Sequence, residues 1–191
     1  MNIPALNYNQ SFGKQALMTC NVKENSSNTQ RSATLYKLDP ENISDQKDVF
    51  FSKQTGCIKR DFEKARYDSF PNKEFYVLQN NSTGEVISCA QTSHHFRPFE
   101  SAESGQYTLI EDAHGNIKYS NAVEPLFAYI TKSASQKSDS SVFTAFDEMT
   151  MPEANKSSFS IAETGEYFIP DKNFASFQSN SEKKYNIKYL V

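Results

Sequence analysis

The sequence predicts an α+β fold, a mixed and mostly antiparallel central sheet flanked by helices, with a polar N-terminal extension. Three observations lead there. Short runs rich in aliphatic, aromatic and β-branched residues, such as EFYVLQ, VISCAQTSHHF and YTLIED, are separated by turn-forming residues, as in antiparallel strands. Other segments repeat apolar residues every three or four positions, as helices with one buried face do. The 191 residues suffice for one hydrophobic core and fall short of two average domains.

Residues 1–32 end in NVKENSSNTQRS, a polar run without apolar periodicity, so they are expected as an arm, with residues 33–191 as the compact domain. ATLYKLD reads as a strand. Asp39-Pro40-Glu41 then supplies an N-cap, a proline for the first helical position and an acid for the first turn. In the helix that follows, Phe50, Phe51, Gln54, Ile58, Phe62 and Ala65 line one face, with a break near Gly56. Beyond Pro71, EFYVLQ and VISCAQTSHHF flank the turn residues NNSTGE and form a hairpin. After the loop RPFESAESG, YTLIED is a third strand that stops at AHGN. Ala122, Leu126, Phe127 and Ile130 share a helical face, with Pro125 in the first turn. SSVFTAFDE is a buried strand. A helix over residues 152–163, a stop at Gly165 and the strands EYFIP and YNIKYLV complete the order.

Composition narrows the function classes. Aromatic residues make up 13% of the chain and supply large side chains to bury, which excludes a disordered polymer. A formal charge of -3 gives no basic field, so neither nucleic acid nor an anionic membrane is an expected partner. No stretch reaches the ~20 apolar residues of a membrane span, and MNIPALNYNQ has no signal-peptide pattern, so a cytoplasmic location is expected. Cys20, Cys57 and Cys89 are far apart and without CxxC, which predicts free thiols. Adjacent strand residues face opposite ways, so His94 and His95 do not share a metal, and no metal site is expected.

The order of elements from Ala33 onward resembles the GNAT N-acetyltransferase superfamily. KEFYVLQNNSTGEVISCAQTS is similar to that family's hairpin, with Ser88 where a glycine is frequent. NAVEPLFAYITKSA, SSVFTAFDE and ANKSSFSIAETGEYF resemble its later helix, strand and "N-x-x-S" helix running into a strand. The resemblance implies acetyl-coenzyme A (acetyl-CoA) as cosubstrate, its pyrophosphate lying on backbone N–H groups at the N-terminus of the helix after YTLIED, where the macrodipole favours an anion. The family's Q/R-x-x-G-x-G/A falls on Ile117 to Ala122, which assigns Lys118, Tyr119, Ser120, Asn121 and Ala122 to the donor. Ile117 replaces the Arg or Gln, and Ser120 replaces the middle glycine. On the residues alone, Ser120 and Asn121 read as helix caps.

Acetyl transfer needs a neutral amine, a polarised thioester and a protonated leaving thiolate. Glu111 and Asp112, ending the strand that leads into the donor loop, are placed to take the amine's proton. The tyrosine that the family often uses as acid corresponds to Ala162. The resemblance therefore implies an N-acyltransferase acting by direct attack on an amine carried by a small molecule or protein. The departures at Ile117, Ser120 and Ala162 define the alternative, a catalytically degenerate binding or regulatory protein on the same scaffold.

Overall fold

Strand β3 (Lys73–Asn80) is buried from Phe75 to Asn80, on both its faces. Only a central strand covered on each side has that pattern. The computed structural model, which describes residues 13–42, 56–65, 72–97, 105–144, 159–161 and 167–190, supplies both covers. Phe75 and Val77 turn toward helix α1 (Gly56–Ala65) and pack with Ile58 and Phe62; the Phe62 ring meets Phe75 edge-on at 5.1 Å. Tyr76 and Leu78 turn the other way, into a larger core built with helices α2 (Glu124–Gln136) and α3 (Asp171–Tyr185).

Nine described strands form one mixed sheet around β3. They are β1 (Gln15–Lys23), β2 (Gln30–Leu38), β3, β4 (Val86–Arg97), β5 (Gly105–Gly115), β6 (Ser141–Thr144), β7 (Ser160–Ile161), β8 (Tyr167–Pro170) and β9 (Lys188–Tyr189), in the spatial order β7-β8-β6-β5-β4-β3-β2-β1-β9. β5 and β6 run parallel, joined through α2; the other pairings are antiparallel. The expected β3–β4 hairpin is present. Asn80 shapes its turn by accepting the Ser82 amide, and Gly84 takes φ 69°, where a Cβ would be strained. No helix among the described residues is long and apolar enough to cross a membrane.

Four expectations need correcting. Residues 1–32 are not simply an arm: Gln15–Lys23 is β1, which brings Leu17, Met18, Cys20 and Val22 into the larger core. The polar run from Asn21 contains the tip of the β1–β2 hairpin, where polarity reports a turn. Asp39 starts a turn, not a helix, with the Asn42 amide donating to the Asp39 carbonyl, and residues 43–55 lie outside the described residues. The helix expected to reach Glu163 gives way to β7 at Ser160–Ile161. Finally, the segment before YNIKYLV is α3. Its buried Phe174, Phe177, Ser181 and Tyr185 form one narrow stripe in an otherwise polar helix, and Asn186 ends it at φ 49°.

If β1 is part of the core, Met18→Ala leaves a cavity and lowers the unfolding free energy by about 2–5 kcal/mol. Urea denaturation followed by circular dichroism measures this; a loose arm would give no change.

Candidate functional site

The β4–β5 ladder skips one residue. Gln91 pairs with Asp112 and Thr92 with Ile110, so Glu111 is the extra residue of a β-bulge. Regular alternation would send neighbours to opposite faces, yet the bulge puts both carboxylates on the α1 side of the sheet. Glu111 Oε2 lies 2.7 Å from Lys73 Nζ and accepts from Gln91 Nε2; Asp112, opposite Gln91, lies 3.0 Å from His114 Nε2. Lys73 also reaches Asp61 of α1 at 3.1 Å, and Gln91 Nε2 donates to the same Asp61 oxygen at 2.9 Å. Lys73, Gln91 and Asp61 carried no sequence signal for this site. Residues from α1, β3, β4 and β5 meet only through sheet order.

Burial alone would raise the Glu111 carboxyl, but hydrogen bonds from Lys73, Ser93 and Gln91 and the Lys73 charge hold it below the ordinary range. Asp61 is held low in the same way, against its burial, by Gln91, Lys73 and Arg60. Lys73 is in turn raised, its carboxylate partners outweighing burial.

The loop from Gly115 to α2 is tightly built. A Cβ on Gly115 would come within 3.1 Å of the Ala122 side chain, so the loop folds back onto the strand end. Lys118 Nζ is 2.5 Å from Glu85 Oε1. Tyr119 is buried, its hydroxyl donating to Glu85 and accepting from Asn80. The Ser120 amide donates to the Lys23 carbonyl at 2.9 Å and its hydroxyl to Asn25 Oδ1 at 2.5 Å. Asn121 takes φ 49°, and its side chain bonds to Tyr185. Ala122 is buried, its carbonyl accepting from Ser88 Oγ at 2.7 Å, so serine at the family's frequent glycine position has a structural duty.

Neither Ser120 nor Asn121 caps α2: the N-cap residue is Val123, with no side-chain cap. Glu124 opens the helix instead, and its carboxylate, 0% exposed, accepts from Tyr185 Oη and Lys184 Nζ, each at 2.7 Å. An acid in the first turn complements the macrodipole, and α3 neutralises it. That acid was visible in the sequence; its partners 60 and 61 residues away were not.

Elsewhere, His94 Nδ1 lies 3.3 Å from the buried Asp139, and His95 contacts Ser93. Burial pushes the Cys20 and Cys89 thiols up to about 12, which leaves both unreactive at neutral pH. Among the described residues no group of three or more His, Cys, Asp or Glu is arranged to hold a metal ion. Ala162 lies outside those residues, while Tyr167 begins β8 opposite Ile161 and Thr144.

No family model and no curated protein matches the sequence. Solved structures do match its backbone. AtaTR bound with acetyl-CoA superposes with a TM-score of 0.54 at 13% identity, over 75% of this chain and 96% of that one. The chain has the fold of the GNAT acetyltransferases. AtaT complexed with acetyl-methionyl-tRNAfMet gives 0.54 at 10% identity over 75% and 98% of the two chains, and a tyrosine-to-phenylalanine mutant of KacT gives 0.53 at 11% over 75% and 98%. At such identities the likeness establishes the GNAT fold and its mixed sheet.

Two outcomes test the site's energetics. Glu124→Ala strands the Lys184 and Tyr185 polar groups and is expected to cost about 3–5 kcal/mol in denaturant unfolding. Glu111 and Asp61 titrate lower folded than unfolded, so their stabilisation is complete above pH 4.5 and is lost as pH falls through their folded values. Lys73→Met removes the shared cation, and its unfolding midpoint is expected to fall less steeply than wild type between pH 5 and 3.

Proposed function

We propose that the chain is an N-acyltransferase that moves the acetyl group of acetyl-CoA to an amine by direct attack. The β5 bulge carries this reading: it sets Glu111 and Asp112 on one face of the strand that feeds the loop before α2. The GNAT fold, and acetyl-CoA bound by a protein that shares it, support it further.

In this mechanism the amine nitrogen bonds to the thioester carbonyl carbon and the carbon–sulfur bond breaks. Glu111 takes the ammonium proton, directly or through water, with Asp112 beside it. The Lys73 charge that keeps Glu111 low makes it a weak base, so the transfer requires Glu111 to loosen from Lys73. Water protonates the departing thiolate, since Ala162 stands where the family often has tyrosine. The donor pyrophosphate rests at the N-terminus of α2, near Lys118 and the amides of Asn121 and Ala122, which donate to no backbone carbonyl among the described residues. Although AtaT is found with an acetyl-methionyl-tRNA, a formal charge of -3 offers no matching field. We assign the acceptor amine to a small molecule or protein.

A second reading, a catalytically degenerate binding or regulatory protein, is favoured by the donor loop itself. The Tyr119 and Ser120 amides donate within the chain, and Glu124 already places a carboxylate in the first turn of α2. Differential scanning fluorimetry and thiol detection separate the two. The first reading expects acetyl-CoA to raise the melting temperature, by an amount that corresponds to about 2.7 kcal/mol at a hundredfold excess over Kd. It also expects amine-dependent release of CoA thiol, with Glu111→Gln lowering kcat by roughly 10²–10⁴-fold. Neither shift nor release at millimolar acetyl-CoA favours the second.

A further inference from the structure

The donor loop is covered by the chain's own N-terminal hairpin. β1 and β2 pair down to Lys23 and Gln30, and residues 24–29 turn between them, with Asn28 at φ 55°. The tip then reaches sideways across the sheet end. Glu24 and Tyr119 form an isolated antiparallel bridge. The Asn25 amide donates to the Lys118 carbonyl at 2.7 Å, and Asn25 Nδ2 donates to the Ile117 carbonyl at 2.8 Å. Asn25 Oδ1 accepts the Ser120 hydroxyl at 2.5 Å, and the Lys23 carbonyl accepts the Ser120 amide at 2.9 Å. Three consecutive hairpin residues thus engage four consecutive loop residues, Ile117 to Ser120. Of these loop groups, the Ser120 amide and hydroxyl are donors that an anion at this corner would compete for.

We propose that the hairpin tip is a strap over the donor loop, and that an acyl-CoA enters only when Lys23–Asn25 lifts away; this rests on the acyltransferase reading. The strap is built to move without unfolding the sheet. Asn25 to Thr29 are exposed and their grip on the loop is wholly polar, whereas Cys20 and Val22, just below, are buried and anchor β1. Glu24 is held from within the hairpin by Arg31, at 2.9 and 2.6 Å, so the tip keeps its shape as a unit. The strap also lays the Glu24 carboxylate beside a loop that a negatively charged donor would approach. A closed majority weakens apparent affinity in proportion to the open fraction.

The test is calorimetric titration of the full chain with acetyl-CoA in three forms. Wild type is compared with Asn25→Ala, which deletes both side-chain contacts, and with a chain in which residues 25–28 are replaced by Gly-Gly. Because Glu24 and Thr29 face each other, the Glu24 amide donating to the Thr29 carbonyl at 2.9 Å, that two-residue turn fits the existing register. Far-UV circular dichroism and the melting temperature confirm that each form folds, and Asn25→Ala, at an exposed position, keeps the test alive if the shortened hairpin does not. We expect the shortened form to bind at least tenfold more tightly than wild type, with Asn25→Ala between them. Equal Kd values in all forms overturn the strap and leave the acyltransferase reading intact. Should none of the folded forms bind at millimolar acetyl-CoA, strap and reading fall together.

Discussion

A sheet covered on both faces cannot slip by one residue without exchanging its two cores. β3 is the clearest instance, since Phe75 and Val77 serve the α1 side while Tyr76 and Leu78 serve the α2–α3 side. Register is therefore held firmly wherever both covers are present, and deviations must be built in as bulges. Three are observed among the described residues, near Leu17, near Leu78 and at Glu111. The first lets adjacent Leu17 and Met18 both enter the larger core. The third lets adjacent Glu111 and Asp112 share a polar face. The same local irregularity buries apolar side chains in one place and gathers carboxylates on one face in another.

Charges inside such a sheet must be compensated where they lie, and here the compensation also ties elements together. Glu124 of α2 is fully buried and held by Lys184 and Tyr185 of α3. Glu74 of β3 sits between Lys37 of β2 and Lys137 after α2; burial pushes its carboxyl up, but those lysines and the Tyr76 hydroxyl bring it down to about 2. The Asp61–Lys73–Glu111 group does the same between α1, β3 and β5. Such pairs contribute less net stability than their Coulomb energies suggest, because desolvation offsets most of the gain. Their clearer effect is on geometry, since each fixes how a helix sits against a strand.

The GNAT fold and the loop before α2 carry different weight. Backbone order and mixed pairing are those of the GNAT fold, but function on a shared fold resides in particular side chains. In the loop before α2 this chain has Ser120 where the family pattern has its middle glycine, and a hairpin laid over the loop. At the bulge it keeps carboxylates on one face. The acyltransferase reading draws on the second feature and the strap on the first, so the two concern adjoining parts of β5 and the loop that leaves it.

Local patterns by themselves determined the β3–β4 hairpin, β5, β6, β8 and the apolar stripe of α2, because alternation and three-to-four spacing survive in a single segment. They also placed Glu111 and Asp112 beside the loop. Other features depended on distant partners. β1 reads as polar chain because its tip is a turn, yet its apolar residues are buried once β2 and the α2–α3 side enclose them. α3 is helical despite a largely polar sequence because Phe174, Phe177 and Tyr185 find a core to enter. Whether Glu111 faces Lys73, and whether the Ser120 amide meets a ligand or Lys23, is a question of register and of contacts across 38 and some hundred residues respectively. Spacing along one strand reports which side chains could share a face; only the assembled sheet decides which strand stands opposite and which amides remain to be used.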